Sequence, residues 1–461
     1  MAGSYVQDMT EGKEMSLLVR FSMPMLIGNI FQQFYNMVDS IIVGNYEGAN
    51  ALAAVGATSS LNFLFFSLCN GMSMGIGIMI SQYFGAKNEV YLRKAIANTI
   101  YIIAVSGVLM SVLGILLAKP ILQFLHTPDV ILADAVLFMQ IVSGGILAVA
   151  AYNAVAAILR SLGDAKSPLI FLIVACLINV VLDLIFVIRF GMGVMGVGIA
   201  TVISQAVAAI GSLLYAVATN PYFKISREEL RYDKNIIEKC VRLGLPVAAQ
   251  SSLIAISCVA LQSVVNGFGA NVVAAFTATS RVEQLVQQPF NSLGAAVSTF
   301  SGQNIGARKL DRVKRGYYKS VVLVAAFSAL MLVAAYLFGN AIMRLFVNDE
   351  VVISIGAKAL KITSLLYFPL GMIYVTRGLL NGAGDAFYAM ANGMVEIVGR
   401  IGFANLLVLI PAIGVWGVWW ATGLTWLITG FASVFRYYQG KWKYMSVVDS
   451  QLEQAKETMV A

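Results

Sequence analysis

Four polar side chains, Asn29, Gln32, Asn36 and Asp39, recur at spacings of 3, 4 and 3 in a stretch that is otherwise apolar. That spacing marks one face of an α-helix, so the four form a single polar stripe. A second group lies farther along. Asn179 and Asp183 are one helical turn apart, and Thr201 follows the run Gly191-Met192-Gly193. If that run is the apex of a helical hairpin, Asp183 and Thr201 are each nine residues from it, about 13 Å down at 1.5 Å per residue. Asp39 lies eight residues before another apex, near Glu47. Provided the three helices touch, two carboxylates, an amide carbonyl and a hydroxyl meet at one level. Such a set suits a hard cation such as Na+ or a shared proton.

The elements that carry these groups are membrane spans. The chain is 59% hydrophobic and 12% charged, against roughly 25% charged in soluble domains. Twelve apolar runs, each long enough to cross about 30 Å of hydrocarbon, lie near 16–43, 51–80, 95–118, 130–158, 167–189, 194–218, 236–265, 272–302, 317–340, 353–380, 387–410 and 415–437. They exceed the length of a transmembrane strand and do not alternate in polarity, so the expected fold is all-α and polytopic. The formal charge of +8 reports topology rather than a nucleic-acid partner. With the N-terminus inside, most of the 31 basic residues fall in cytoplasmic loops or at cytoplasmic helix ends, which is the positive-inside pattern. Both termini are therefore expected in the cytoplasm, with no cleaved leader. The partner surface is the lipid bilayer.

Neither metal nor enzyme chemistry is indicated. Cys69, Cys176, Cys240 and Cys258 are widely spaced, and the one histidine, His126, falls in an external loop. No nucleophile-and-base arrangement, HExxH motif or phosphate-cradling glycine loop is present, and no cofactor is expected.

The chain contains itself twice. A shift of 221 residues superposes Gln82, Gly85 and Ala86 on Gln303, Gly306 and Ala307, and Gly163-Asp164-Ala165 on Gly384-Asp385-Ala386. It also matches Gly193-Val194, Gly196-Val197 and Ala200-Thr201 to Gly414-Val415, Gly417-Val418 and Ala421-Thr422. A shift of 222 pairs Arg20 with Arg242 and Pro24 with Pro246. Six spans per repeat gives both halves the same orientation, related by an axis along the membrane normal. The expected domains are an N-terminal lobe (1–218), a polar cytoplasmic linker (219–235) and a C-terminal lobe with a cytoplasmic tail (236–461).

The repeat also serves as an internal control. Asp39, Asn179, Asp183 and Thr201 correspond to Ala260, Arg400, Ala404 and Thr422. The second half lacks both acids and has gained an arginine. Acids needed only for helix packing would have no reason to persist in one half, so the four are assigned to binding a hard cation or a shared proton. Near mid-span the second half carries Arg281 with Glu283, and Glu396 with Arg400 at i, i+4. Unpaired charges at that depth are costly, so mutual salt bridges are expected, with substrate binding or gating as the other reading. Gln32, Tyr35, Asn36 and Asn153 are candidates for the substrate cavity. Pro24 interrupts the first span and is either a hinge or a packing bend.

Together, the 6+6 repeat, Pro24 with the run Gln32-Gln33-Phe34-Tyr35-Asn36-Met37-Val38-Asp39, the Gln82-to-Ala86 element, and Asn179 with Asp183 resemble the MATE (multidrug and toxic compound extrusion) family over essentially the whole chain. That family's NorM-like branch carries acids in spans 7 and 10. Their absence here makes the likeness closer to the DinF-like branch. The resemblance implies two six-helix bundles and a monomeric, multi-pass protein of the inner membrane. It implies export of organic cations or amphiphilic drugs in exchange for H+ or Na+, by alternating access, with the coupling ion in the N-terminal lobe. A flippase for a lipid-linked saccharide of the same superfamily is the other reading. Its pyrophosphate cargo calls for a basic cavity, where this chain offers only Arg281 and Arg400 among acids.

Overall fold

A computed structural model describes residues 6–448; the tail beyond 448 lies outside the described residues. The first half runs through α1 (Glu14–Tyr46), α2 (Gly48–Gly85), α3 (Glu89–Phe124), α4 (Asp129–Gly144), α5 (Ile146–Ser161), α6 (Lys166–Asp183) and α7 (Gly193–Thr219). The second half repeats the order with α8 (Lys234–Asn266), α9 (Ala270–Gly306), α10 (Leu310–Arg344), α11 (Glu350–Ser364), α12 (Tyr367–Ala383), α13 (Ala386–Val408) and α14 (Gly417–Gln439). α4 with α5, and α11 with α12, are helix pairs bent by 44° and 52° at short breaks; taken as one span each, they bring the described helices to twelve, at the places expected from the sequence. The bends were not legible as such in the sequence; they fall at Gly145 and Leu366, equivalent positions under the 221 shift. A Cβ on Gly145 would stand 2.5 Å from Val202 Cγ2, so glycine admits α7 at the bend.

Seven of the single helices and both bent pairs are apolar enough to qualify as spans on hydropathy alone. The exceptions, α1, α9 and α13, are 33, 37 and 23 residues long. Their apolar runs are interrupted by the stripe residues, by Arg281 and Glu283, and by Glu396 and Arg400 respectively. The three least apolar spans are thus those that carry the candidate site groups, as expected if their polar faces line protein or water rather than lipid.

By contact the chain divides into two units. The first comprises residues 6–8 and Met23–Ala249, the second Met9–Ser22 and residues 250–448. The divisions fall inside α1, one residue before Pro24, and inside α8, three residues after Pro246, whereas the expected lobe boundary lies in the 219–235 connection. That connection is docked on α3. Asn98 Nδ2 donates to the Arg231 carbonyl (3.3 Å), its Oδ1 accepts from the Asp233 amide (2.9 Å), and the Tyr101 hydroxyl donates to the Leu230 carbonyl (2.7 Å). The start of α8 packs closely on α2 through small residues. A Cβ on Gly75 would be 2.6 Å from the Gly244 nitrogen, and one on Gly71 would be 2.6 Å from Ala248 Cβ. Such small-residue contacts hold helices together in lipid, where apolar burial alone gives no advantage.

In the second unit the repeat's glutamine has a visible task. Gln303 Oε1 accepts from the Met9 amide (2.8 Å), and Asn304 Nδ2 donates to the Met9 carbonyl (3.1 Å). The segment leads into Glu14, which pairs with Arg315 (2.9 Å), Lys319 (3.5 Å) and Arg312 (3.6 Å). Burial opposes the charge on Glu14. Hydrogen bonds from its own backbone N–H and from Arg315, with the nearby charge of Arg312, outweigh that and hold its pKa below the usual value.

Candidate functional site

The acids of the first unit are positioned by packing at one end of its helices. Ile42 and Val43 of α1, Ala51 of α2, Phe138 and Val142 of α4, Val187, and Val194 and Val197 of α7 form one buried cluster, with Val38 against it. This cluster fixes the last turns of α1 immediately beyond Asp39. Lower down, Gly28 lets α6 approach: a Cβ there would be 3.3 Å from both Leu169 and Leu172. α6 keeps α-helical geometry as far as Asp183 and then widens into a π-helical turn, Leu184–Arg189. Such turns displace the backbone from the regular ladder and occur often at functional sites.

Asn179 and Asp183 are buried, at 1% and 0% exposure, and Asp39 is half-buried. With its amide oriented to complement its neighbours, Asn179 Nδ2 donates to Asp39 Oδ1 (2.9 Å) and to Asp183 Oδ2 (2.9 Å). Its Oδ1 accepts from the Thr201 backbone N–H (3.2 Å). The structure thus brings together the four residues that the depth argument placed at one level. One detail differs. Thr201 reaches Asn179 through its amide, while its hydroxyl donates to the Val197 carbonyl one turn back (3.0 Å), the common habit of a threonine inside a helix. The Tyr35 phenol interacts with both Asp39 and Thr201. Asp183 Oδ1 is buried and receives no hydrogen bond among the described residues.

The electrostatics follow from this census. Asn179 supplies two N–H donors to two carboxylates, and no Lys or Arg pairs with either acid among the described residues. Like charges held together in a poorly solvated place repel strongly unless a cation neutralises them. The arrangement can therefore hold a proton or a hard monovalent cation on carboxylate and carbonyl oxygens. Among the described residues no three His, Cys, Asp or Glu side chains converge as transition-metal ligands.

Beside the acids, Gln32, Tyr35, Leu172, Ala175, Cys176, Ser204 and Gln205 line a small pocket. Two of the four cavity candidates, Gln32 and Tyr35, are in this lining. Asn36 is exposed on α1, and Asn153 is half-buried on α5; neither lines the pocket. Ser204 and Gln205 were missed from sequence, although they follow Thr201 by three and four residues and so share its face of α7.

The second unit has a different constellation. Arg400 Nη2 donates to Glu396 Oε1 (3.0 Å), so the i, i+4 pair forms as the sequence suggests. Arg281 does not join this network: it is exposed on α9, and it forms no ion pair with Glu283 or Glu396 among the described residues. Side chains two apart on a helix diverge by about 200°, which keeps Arg281 from Glu283. Glu283 instead lies within the field of Arg400. Arg377 of α12 pairs with Glu396 Oε2 (3.5 Å) and donates to Asn392 Oδ1 (3.1 Å). It escaped notice because it stood near the apparent end of its span. Its counterpart in the repeat, Ala156, would have flagged it.

The MatE family model matches residues 24–185 and 246–405, once in each repeat. A probable multidrug resistance protein of Bacillus subtilis, YpnP, is 30% identical over 95% of this chain and 98% of its own. Another from the same organism, YoeA, is 29% identical over 92% and 93%. A crystal structure of a MATE protein in the bent conformation superposes with a TM-score of 0.89 at 22% identity, covering 97% of this chain and 100% of the other. With a twelve-span repeat, an amide-bridged pair of acids in its first half that the second half lacks, and the family model matched in both halves, this chain belongs to the MatE family and is a membrane transporter, not an enzyme.

Proposed function

We propose that this protein exports small organic cations or amphiphilic drugs across the inner membrane in exchange for H+ or Na+, by alternating access. The coupling ion binds at Asp39, Asn179, Asp183 and Thr201. The observation that carries the reading is the pair of acids bridged by one amide, without a basic partner among the described residues, at the start of a π-helical turn. The multidrug resistance names of the relatives support the substrate class. Gln32, Tyr35 and Gln205 would meet the substrate beside the ion, and cytoplasmic termini accord with the basic excess in the even-numbered loops. Pro24 is the hinge candidate, since α1 passes from one unit to the other one residue before it.

One charge entering down 100 mV supplies about 2.3 kcal/mol, and a one-unit pH gradient adds about 1.4 kcal/mol. Reconstitution in proteoliposomes with a fluorescent cation, under separately imposed pH and Na+ gradients, tests the reading. One of the two gradients is expected to drive export, and Asp39→Asn and Asp183→Asn to reduce it at least tenfold while folding normally. Folded variants that still pump at the unmodified rate would falsify the assignment.

A further inference from the structure

We propose that the second unit holds a site for the carboxylate of an aromatic acid or zwitterion, built on Arg377 and Arg400. The argument begins with donors. A guanidinium has five N–H donors, and here two of them are buried together. Arg400 is 6% exposed; it uses Nη2 on Glu396 and Nη1 on the thiol of Cys258 (2.8 Å), a weak acceptor. Its Nε is buried without an acceptor among the described residues. Arg377 uses Nη2 on Asn392 and Glu396, and its Nε is likewise buried and unpartnered. A single carboxylate, Glu396, therefore pairs with two guanidinium groups, and the Nε donor of each is left open among the described residues. Glu283, a further acid, lies in the field of Arg400 without pairing with it among the described residues.

An incoming carboxylate is the group that fits these open donors. It matches the fork of a guanidinium and accepts two parallel hydrogen bonds. The half-buried ring of Tyr374, whose hydroxyl donates to Gln287 Oε1 (2.9 Å), stands beside the arginines and offers an aromatic wall. Access is on the α8 side. Cys258 is exposed, and Cys258, Gln262 and Asn266 form a row at i, i+4, with Gln262 donating to Asn266 (2.9 Å). A polar row inside a span faces water or protein rather than lipid. The repeat shows what changed: Arg400 occupies the position equivalent to Asn179, so the place that bridges two acids in one unit presents a cation in the other.

This inference rests on the export reading only for what the site is for; the binding itself is tested separately. Purified protein in detergent is titrated with radiolabelled benzoate, with benzamide as the uncharged analogue and chloride as the simple anion. Benzoate is expected to bind at least tenfold more tightly than benzamide and not to be displaced by equimolar chloride. Glu283→Gln, which removes a competing negative charge, is expected to tighten binding several-fold. Arg377→Lys, which keeps the charge and loses the fork, is expected to weaken it about tenfold. The charge-balanced pair Arg400→Gln with Glu396→Gln is expected to abolish it, folding being checked by elution profile. Asp39→Asn is expected to leave benzoate binding as it is while stopping gradient-driven export, so the two readings fail independently. Equal binding of benzamide, displacement by equimolar chloride, or unchanged or weaker binding by Glu283→Gln would each overturn the proposal.

Discussion

Replacing Glu396 by glutamine strips the one carboxylate that pairs with both Arg400, at 3.0 Å, and Arg377, at 3.5 Å. Glu396 and Arg400 are each 6% exposed, so water cannot replace the lost charge. Removing one partner of a buried ion pair costs ~3–5 kcal/mol. Two features place this case near the lower end, at about 3 kcal/mol. Arg377 keeps its bond to Asn392, and Arg400 keeps Cys258 and the field of Glu283. At about 1.4 kcal/mol per decade, the folded-to-unfolded ratio should fall about 150-fold. The assay is reversible unfolding in mixed micelles, followed by tryptophan fluorescence, for Glu396→Gln, Arg400→Gln and the double variant. In the double variant the unpaired guanidinium of Arg400 is gone, so a coupling energy of about 2 kcal/mol is expected. Loss below about 1 kcal/mol for Glu396→Gln, or strict additivity of the two replacements, would refute the view that this pair stabilises the fold. Asp183→Asn should behave in the opposite way, with stability kept or raised, because that acid has no basic partner to abandon.

Asn179→Ala should impair gradient-driven export more than Thr201→Val, because Asn179 donates to both acids whereas the bond from Thr201 to Asn179 uses its backbone amide. Initial export rates of the two variants at matched expression decide it, and an equal or reversed order would contradict the geometry. For Glu14, whose pKa is lowered in the fold, the stabilising charge is fully present above the unfolded value and is lost as pH falls through the folded one. Melting temperature in detergent should therefore decline on acidification less steeply in Glu14→Gln than in the parent, and identical profiles would count against the Arg312, Arg315 and Lys319 contacts.

How much of this was legible in the chain depends on the range of the physics involved. The duplication follows from self-similarity and most of the spans from hydropathy, both of which are local and additive along the sequence, and the helices of both halves appear where these signals put them. The level of Asp39, Asn179, Asp183 and Thr201 followed from counting residues to the hairpin apices, because helical rise is constant. Rotation about the helix axis was not available from counting. That Thr201 would turn its amide toward Asn179 and its hydroxyl toward Val197 was settled by the packing of α7 against α6. The bends at Gly145 and Leu366 and the π-helical turn after Asp183 also escaped, since each depends on what a neighbouring helix presses against that point. The same reason explains the second unit's charges. The i, i+4 relation of Glu396 and Arg400 is a property of one helix and was readable. Arg377 joins from α12, across a contact that no spacing records, and Arg281 stays outside the network because its position on α9 faces outward. Composition and period determined which residues lie on the apolar helices and how far along them; only the tertiary structure decided which of them meet, because meeting depends on how each helix is rotated and bent against its neighbours.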